Sequence, residues 1–239
     1  MLNTLINTVK RLRIKVEAVV LQVHHDTPMM RRIVFGGDLQ ALLAHEDTAL
    51  PAAWLKVEIP SGESRAYTIQ RMNVQAGTLE LAFVLHQPLG PVSAWAAQAQ
   101  PGDKVRLAGP RQGRFDPPAD ASWLLLAGDA TALPAMHSIL HQWPAHLPVQ
   151  LVAEVAGSQE QQRLPNHPRL QAIWLAARHE PGWALYQHLS QHGLPAGPGY
   201  IWLAGEATAI RALQVHYRNA GIPVSAKGYW KQGEARFRD

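Results

Sequence analysis

The apolar pattern of this chain changes its period at one place, and that change bounds the fold more tightly than any other feature. In the first half apolar and polar residues alternate. Ile14, Val16, Ala18 and Val20 interleave with Lys15, Glu17, Val19 and Leu21; Leu55, Val57 and Ile59 interleave with Trp54, Lys56 and Glu58; Leu79, Leu81, Phe83 and Leu85 interleave with Glu80, Ala82 and Val84. A period of two sends alternate side chains to opposite faces of a strand. Shorter runs of the same kind occupy 32–35, 65–70 and 104–108. About six short strands joined by Gly/Pro turns predict a small antiparallel barrel.

The alternation stops at Arg114-Phe115-Asp116-Pro117-Pro118, whose prolines and polar neighbours mark a linker, and we place a boundary between residues 117 and 118. Beyond it, 123–126 is uniformly apolar, as a strand buried on both faces requires. Leu133, Met136, Leu140 and Trp143 then recur at helical spacing. Strands are predicted at 149–155 and 172–175 and a helix at 183–191. Alternating strand and helix predicts a parallel α/β sheet. Residues 123–136, W-L-L-L-A-G-D-A-T-A-L-P-A-M, are echoed at 200–213, Y-I-W-L-A-G-E-A-T-A-I-R-A-L. Both read as buried strand, glycine turn, acid, threonine and helix, with Thr131 and Thr208 as candidate helix caps. Ligands of open α/β sheets lie at the carboxyl ends of the strands, where these turns fall.

Composition removes several function classes. The 239 residues contain no cysteine, which excludes disulfides, thiolate zinc sites, cysteine-ligated iron–sulfur clusters and a cysteine nucleophile. The net charge is +4, which suits an anionic ligand; without a long basic block or an aromatic-interleaved patch, no nucleic-acid partner is expected. Lys10, Arg11, Arg13, Arg31 and Arg32 read as a solvated face or strand edge. Met1 to Arg13 lacks an apolar signal core, and no stretch reaches the ~20 apolar residues of a membrane span, so a soluble cytoplasmic protein is expected. His137 and His141 have the i, i+4 spacing of metal ligands, but no nearby carboxylate or H-E-x-x-H completes a site, and no metal is expected. G-x-S-x-G and P-loop motifs are absent.

Two runs carry chemistry. Arg65-Ala66-Tyr67-Thr68 stands on a predicted strand, with Arg65 and Tyr67 on one face and Thr68 on the other. A flavin dinucleotide needs a cation for its pyrophosphate, an aromatic ring beside the isoalloxazine, and hydrogen bonds at the ring's polar edge; this run offers all three. In the second run, Phe83-Val84-Leu85-His86 leads through Gly90-Pro91 into a short helix starting near Ser93 and containing Trp95. Free N–H groups at a helix start bind phosphate oxygens, and Ser93 either caps that helix or donates to phosphate. Near the C-terminus, Lys227, Lys231, Arg236 and Arg238 form a basic segment suited to an anionic ligand, and Arg178 follows a strand where a 2′-phosphate could lie.

Taken in order, R-x-Y-T, V-L-H…G-P-x-S-x-W-A, P-G-D…G-P-R, L-L-L-A-G-D-x-T-A-L-P-A, W-L-A-G-E and G-Y-W-x-x-G resemble the siderophore-interacting proteins from about Val16 to Gly233. The resemblance implies a ferredoxin-reductase-like fold: an FAD-binding barrel over 1–117 and a nicotinamide-binding-like α/β unit over 118–239. It implies an FAD-dependent ferric-siderophore reductase that draws electrons from NADPH, NADH or reduced ferredoxin. On it, Arg65, Ala66, Tyr67 and Thr68 hold flavin and pyrophosphate, His86 and Trp95 line the FAD, and Gly90, Pro91, Val92 and Ser93 cradle the pyrophosphate. Thr68, Asp129 and Thr131 face the reacting edge of the flavin, Tyr229 and Trp230 lie near the flavin or the substrate entrance, and Lys227 and Lys231 meet the ferric siderophore. One departure separates this chain from the wider reductase pattern, G-x-G-x-x-P: Ala130 replaces the second glycine and Asp129 adds an anion, which keeps both kinds of donor open. A flavin or ferredoxin oxidoreductase without siderophore specificity, and a non-catalytic binder of flavin or chelate, are the alternatives.

Overall fold

A computed structural model describes residues 14–178, 180–234 and 237. The first part is a closed antiparallel barrel, as the alternation predicts. Its strands are β1 (Ile14–Thr27), β2 (Met30–Gly37), β3 (Trp54–Glu58), β4 (Ser64–Asn73), β5 (Thr78–Val84) and β6 (Lys104–Arg111), joined in the order β1-β2-β5-β4-β3-β6. A short helix, α1 (Gln40–Leu43), follows β2, and α2 (Pro91–Gln98) links β5 to β6. Phe35, Leu55, Val57, Leu79, Leu81 and Leu107 fill the interior from successive strands. Their side chains take the inward position at every second residue, so closing the barrel buries one stripe from each strand and leaves no long free edge.

The second part begins at β7 (Trp123–Asp129) and continues through α3 (Leu133–Leu140), β8 (Val149–Val155), β9 (Leu170–Ala176), α4 (Trp183–Gln191), β10 (Gly199–Glu206), α5 (Ala207–Asn219) and β11 (Val224–Trp230). All its pairings are parallel, in the order β11-β10-β7-β8-β9. β7 is covered on both faces, which explains its unbroken apolar run. Leu124 and Leu126 pack with α3, whereas Trp123, Leu125 and Ala127 pack with Leu185 and Leu189 of α4 and with Ile210 and Leu213 of α5. The order reverses between β7 and β10, so the crevice at their carboxyl ends is the topological switch point of this sheet. No helix among the described residues is long and apolar enough to cross a membrane.

The two parts share a core. Met30, Ala52 and Ala82 of the barrel pack in one cluster with Ala132, Leu133, Met136 and Ile139, and α3 lies against β4. Polar contacts cross the same junction. Glu160, buried in a 3₁₀ turn after β8, accepts from the Thr27 hydroxyl at 2.5 Å and from the Met29 N–H at 3.2 Å. The Ala52 N–H donates to Ser138 Oγ at 3.3 Å. Shared apolar burial and these hydrogen bonds hold the barrel rim against the carboxyl edge of the sheet.

Candidate functional site

The candidate residues lie on β4 and α2 of the barrel and at the ends of β7, β10 and β11 of the sheet, and Thr68 and Tyr229 link β4 to β11. β4 pairs with β3 so that Thr68 faces Trp54, Tyr67 faces Leu55 and Arg65 faces Val57. Because Leu55 points into the barrel, Tyr67 does too. Its ring lies 4.2 Å from that of Phe83, which meets Trp95 of α2 edge-on at 6.3 Å. The strand run and the helix run are thereby joined through Phe83, which neither motif contains. Burial drives the Tyr67 phenol far above the ordinary tyrosine range, so it stays neutral. Arg65 and Ala66 are exposed, and Arg65 Nη1 donates to the Ser64 carbonyl at 2.9 Å.

α2 starts at Pro91 rather than near Ser93. Proline at the first helical position lacks the N–H that would be unpaired there, and its fixed φ suits the turn. Gly90 is the N-cap and supplies no side-chain acceptor. Ser93 is not the cap either: its hydroxyl donates to the Gly90 carbonyl at 3.0 Å and steadies the turn. A Cβ on Gly90 would meet nothing nearer than Ser93 Oγ at 3.8 Å, so the helix start is open. The first-turn amides of Val92 and Ser93 have no intrahelical acceptor. His86 is exposed on the loop before this helix. An open helix start, an exposed arginine and a joined aromatic wall fit the diphosphate and ring system of FAD.

Thr68 is buried, and its hydroxyl is hydrogen-bonded to the Tyr229 hydroxyl on β11, a direct link between barrel and sheet. Burial pushes Tyr229 up to about 12; the charge of Asp129 adds to the rise and the Thr68 bond opposes it. Next to Tyr229, the Trp230 indole N–H donates to Asp129 Oδ2 at 2.8 Å. The Glu206 N–H donates to the same oxygen at 2.8 Å, and Oδ1 takes the Thr131 N–H at 2.8 Å and the Thr131 hydroxyl at 2.5 Å. Burial raises the Asp129 carboxyl above its usual range, and these four donors oppose the rise.

The two glycine turns are therefore capped by their acids and not by their threonines. Asp129 accepts from the Thr131 N–H, and Glu206 Oε2 accepts from the Ala209 N–H at 3.0 Å while its Oε1 takes the Gln232 N–H at 3.3 Å. A carboxylate outcompetes a hydroxyl at a helix start because it also meets the positive end of the helix dipole. The glycines permit the two turns to touch. A Cβ at Gly128 would sit 2.0 Å from the Ala204 carbonyl, and one at Gly205, where φ is +144°, would sit 2.5 Å from Asp129 Oδ2. Asp129 caps the 3₁₀ turn that precedes α3, and Glu206 caps α5, so both turns at the switch point carry an anion of the chain's own.

Lys227 and Lys231 are separated by their contacts. The Lys227 ammonium lies 4.3 Å from the centre of the Trp54 ring, where Arg111 also stacks at 4.7 Å. Lys231 pairs with Glu234. Trp54 and Arg111 were not singled out in the sequence; the available signal was a tryptophan at an outward position of β3, directly opposite Thr68. Arg178 stacks over the Trp183 ring at 5.6 Å. Arg236 and Arg238, with Lys10, Arg11 and Arg13, lie outside the described residues. His137 is buried with Nδ1 3.3 Å from Gln70 Nε2, a contact with the barrel, whereas His141 is exposed.

Comparison with known proteins agrees with this geometry. Residues 53–114 match the family model described as "Siderophore-interacting FAD-binding domain", and residues 121–233 match the one described as "Siderophore-interacting protein". The chain is 31% identical over 169 residues to the mycobactin import ATP-binding/permease protein IrtA of Mycolicibacterium smegmatis, covering 66% of this chain and 19% of that protein. It is 33% identical over 138 residues to the ferric acinetobactin reductase of Acinetobacter baumannii, covering 56% of this chain and 45% of that protein. The matches thus span less than half the length of these curated relatives. A siderophore utilization protein from T. fusca superposes with a TM-score of 0.79 at 27% identity, covering 93% of this chain and 94% of that one.

Proposed function

The chain belongs to the siderophore-interacting protein family, and on that premise we propose that it binds FAD between barrel and sheet and reduces ferric siderophores, releasing ferrous iron. The observation that carries this reading is the convergence at Thr68. The strand that bears the R-x-Y-T run is joined to Trp95 of α2 through Phe83 and to the sheet through Tyr229. When bound, FAD supplies acceptance of an electron pair or of single electrons and one-electron delivery to Fe(III).

The chain's own groups position and insulate that chemistry. Arg65 and the amides of Val92 and Ser93 would hold the pyrophosphate, His86 and Trp95 would wall the flavin, and Tyr67 would support that wall from the barrel interior through Phe83. The Thr68 hydroxyl, held by Tyr229, would face the ring's polar edge. Asp129 and Thr131 act by fixing Trp230, and through it the end of β11, against the site. The basic side chains Lys227 and Arg111 beside Trp54 would receive an anionic ferric chelate. Hard oxygen donors hold Fe(III) more tightly than Fe(II), so reduction loosens the iron and the protein needs no metal ligands of its own. The carboxylates of Asp129 and Glu206 at the two turns would repel a dinucleotide pyrophosphate, which favours reduced ferredoxin over NADPH or NADH as the electron source.

Titration of the purified protein with FAD, read by flavin fluorescence, tests the reading. Saturable binding is expected, and Arg65→Ala should weaken it by about 10- to 100-fold, the range of a lost charge-assisted bond. Thr68→Ala should weaken it less. Absence of saturable FAD binding would reject the function.

A further inference from the structure

We propose that Arg31, a barrel residue remote in sequence from both motifs, is a positioning residue for the FAD pyrophosphate, acting through the far end of α2. The inference rests on the flavin reading above. Arg31 lies on β2, paired with Phe83 of β5, the same residue that joins Tyr67 to Trp95. Its guanidinium reaches the C-terminus of α2. Nη1 donates to the Ala97 carbonyl, and Nη2 donates to the Ala99 carbonyl at 2.6 Å. Ala97 is in the last turn of the helix and Ala99 is its C-cap residue. These are the carbonyls that a helix end leaves without intrahelical partners.

The contact is electrostatic as well as geometric. The other arginine of the pair, Arg32, is neutralised by Asp26 at 3.0 Å and Glu80 at 2.7 Å. Arg31 makes no ion pair of this kind among the described residues, and its Nε is buried without a partner. A half-buried guanidinium therefore directs its charge at the negative end of the α2 dipole and cancels it. The eight residues of α2 span about 12 Å. With the C-terminal partial charge cancelled, the uncompensated positive end is at Val92 and Ser93. The Gly90 side of the helix carries no acidic cap, in contrast to α5, so that field is left for an external anion. The forked bond also fixes the helix axis, so the amides stay aimed.

FAD dissociation constants of wild type, Arg31→Lys, Arg31→Gln and Arg31→Ala test this, with the melting temperature of each apoprotein measured in parallel. Lysine keeps the charge without the fork, and glutamine keeps amide donors without the charge. The expected order of affinity is wild type, Lys, Gln, Ala, with Lys within about threefold of wild type and Ala at least tenfold weaker. The difference between Lys and Gln should shrink as salt is raised, because screening acts on the charge and not on packing. An Ala variant within twofold of wild type, or a Gln variant that binds FAD as well as Lys, would overturn the proposal. So would affinity losses that follow the apoprotein melting temperatures instead of the side-chain charge. If Ala does not fold, Lys against Gln decides alone. A wild-type protein that binds no FAD would reject the functional reading as well, and is distinguishable by that control.

Discussion

Replacing Asp129 by asparagine should unfasten the end of β11 while leaving the first helix cap in place. The carboxylate takes four donors: the Thr131 N–H and hydroxyl on Oδ1, and the Glu206 N–H and Trp230 indole on Oδ2. Asparagine caps helices about as well as aspartate, so its oxygen can keep the Thr131 side. Its NH₂ then confronts two N–H donors. Each buried donor left unpaired costs roughly 1–3 kcal/mol. The loss of two gives a destabilisation of about 2–6 kcal/mol, partly offset by removing a buried carboxylate whose ionisation burial disfavours. In a chain of this size about 1 kcal/mol shifts the melting temperature by roughly 2–4 °C, so a fall of about 5–15 °C is expected. Trp230→Phe removes only one of the donors and should cost about 1–2 kcal/mol. In a double-mutant cycle the two changes should couple by at least about 0.5 kcal/mol, since they share one bond. Urea unfolding of the four proteins measures this directly. An Asp129→Asn protein as stable as wild type, or additive effects of the two substitutions, would refute the bridging role.

Other consequences follow from the burial and pairing of single groups. Burial lowers His137 from 6.5 to about 4, so the native state resists a proton that the unfolded chain accepts. Stability should therefore decline as pH falls from about 6.5 to 4, with about 3 kcal/mol attributable to this residue. His137→Gln should flatten that part of the pH profile, and an unchanged acid limb would assign it elsewhere. Lys227→Ala should raise the Michaelis constant for an anionic ferric siderophore several-fold and leave a neutral chelate unaffected. Lys231→Ala should change it less than twofold, because Glu234 already compensates that ammonium and exposed ion pairs are weak. Equal losses for anionic and neutral chelates would indicate damage to the flavin site.

The barrel and the parallel sheet were legible because both are written in burial. Leu79, Leu81 and Phe83 are inward at every second position, and 123–127 is apolar throughout because β7 is covered on two sides. The paired glycine turns were legible for the same reason: two buried strands meet at their carboxyl ends. Their caps were misassigned to Thr131 and Thr208, since the preference of a helix start for either residue is similar until the neighbouring donors are known. Only when the end of β10 brings the Glu206 N–H and β11 brings the Trp230 indole does the carboxylate acquire its third and fourth partners. Arg31 and Arg32 are adjacent and look alike, yet the pleat sends one to two acids and the other to a helix end. Glu160 gave no sequence signal of its contact with Thr27, 133 residues away. Contacts of this kind depend on how two separately patterned units dock, which local periodicity does not encode.

On the proposed function, flavin held at this junction passes electrons to chelated ferric iron. An anaerobic single-turnover measurement tests it most directly. FAD-loaded protein is reduced chemically, the excess reductant is removed, and a ferric siderophore is added together with a ferrous-specific chromogenic chelator. The oxidised-flavin absorbance should return as the ferrous complex forms, with about two ferrous ions per fully reduced flavin. Flavin that stays bleached in the presence of ferric siderophore and recovers only when oxygen is admitted would contradict it.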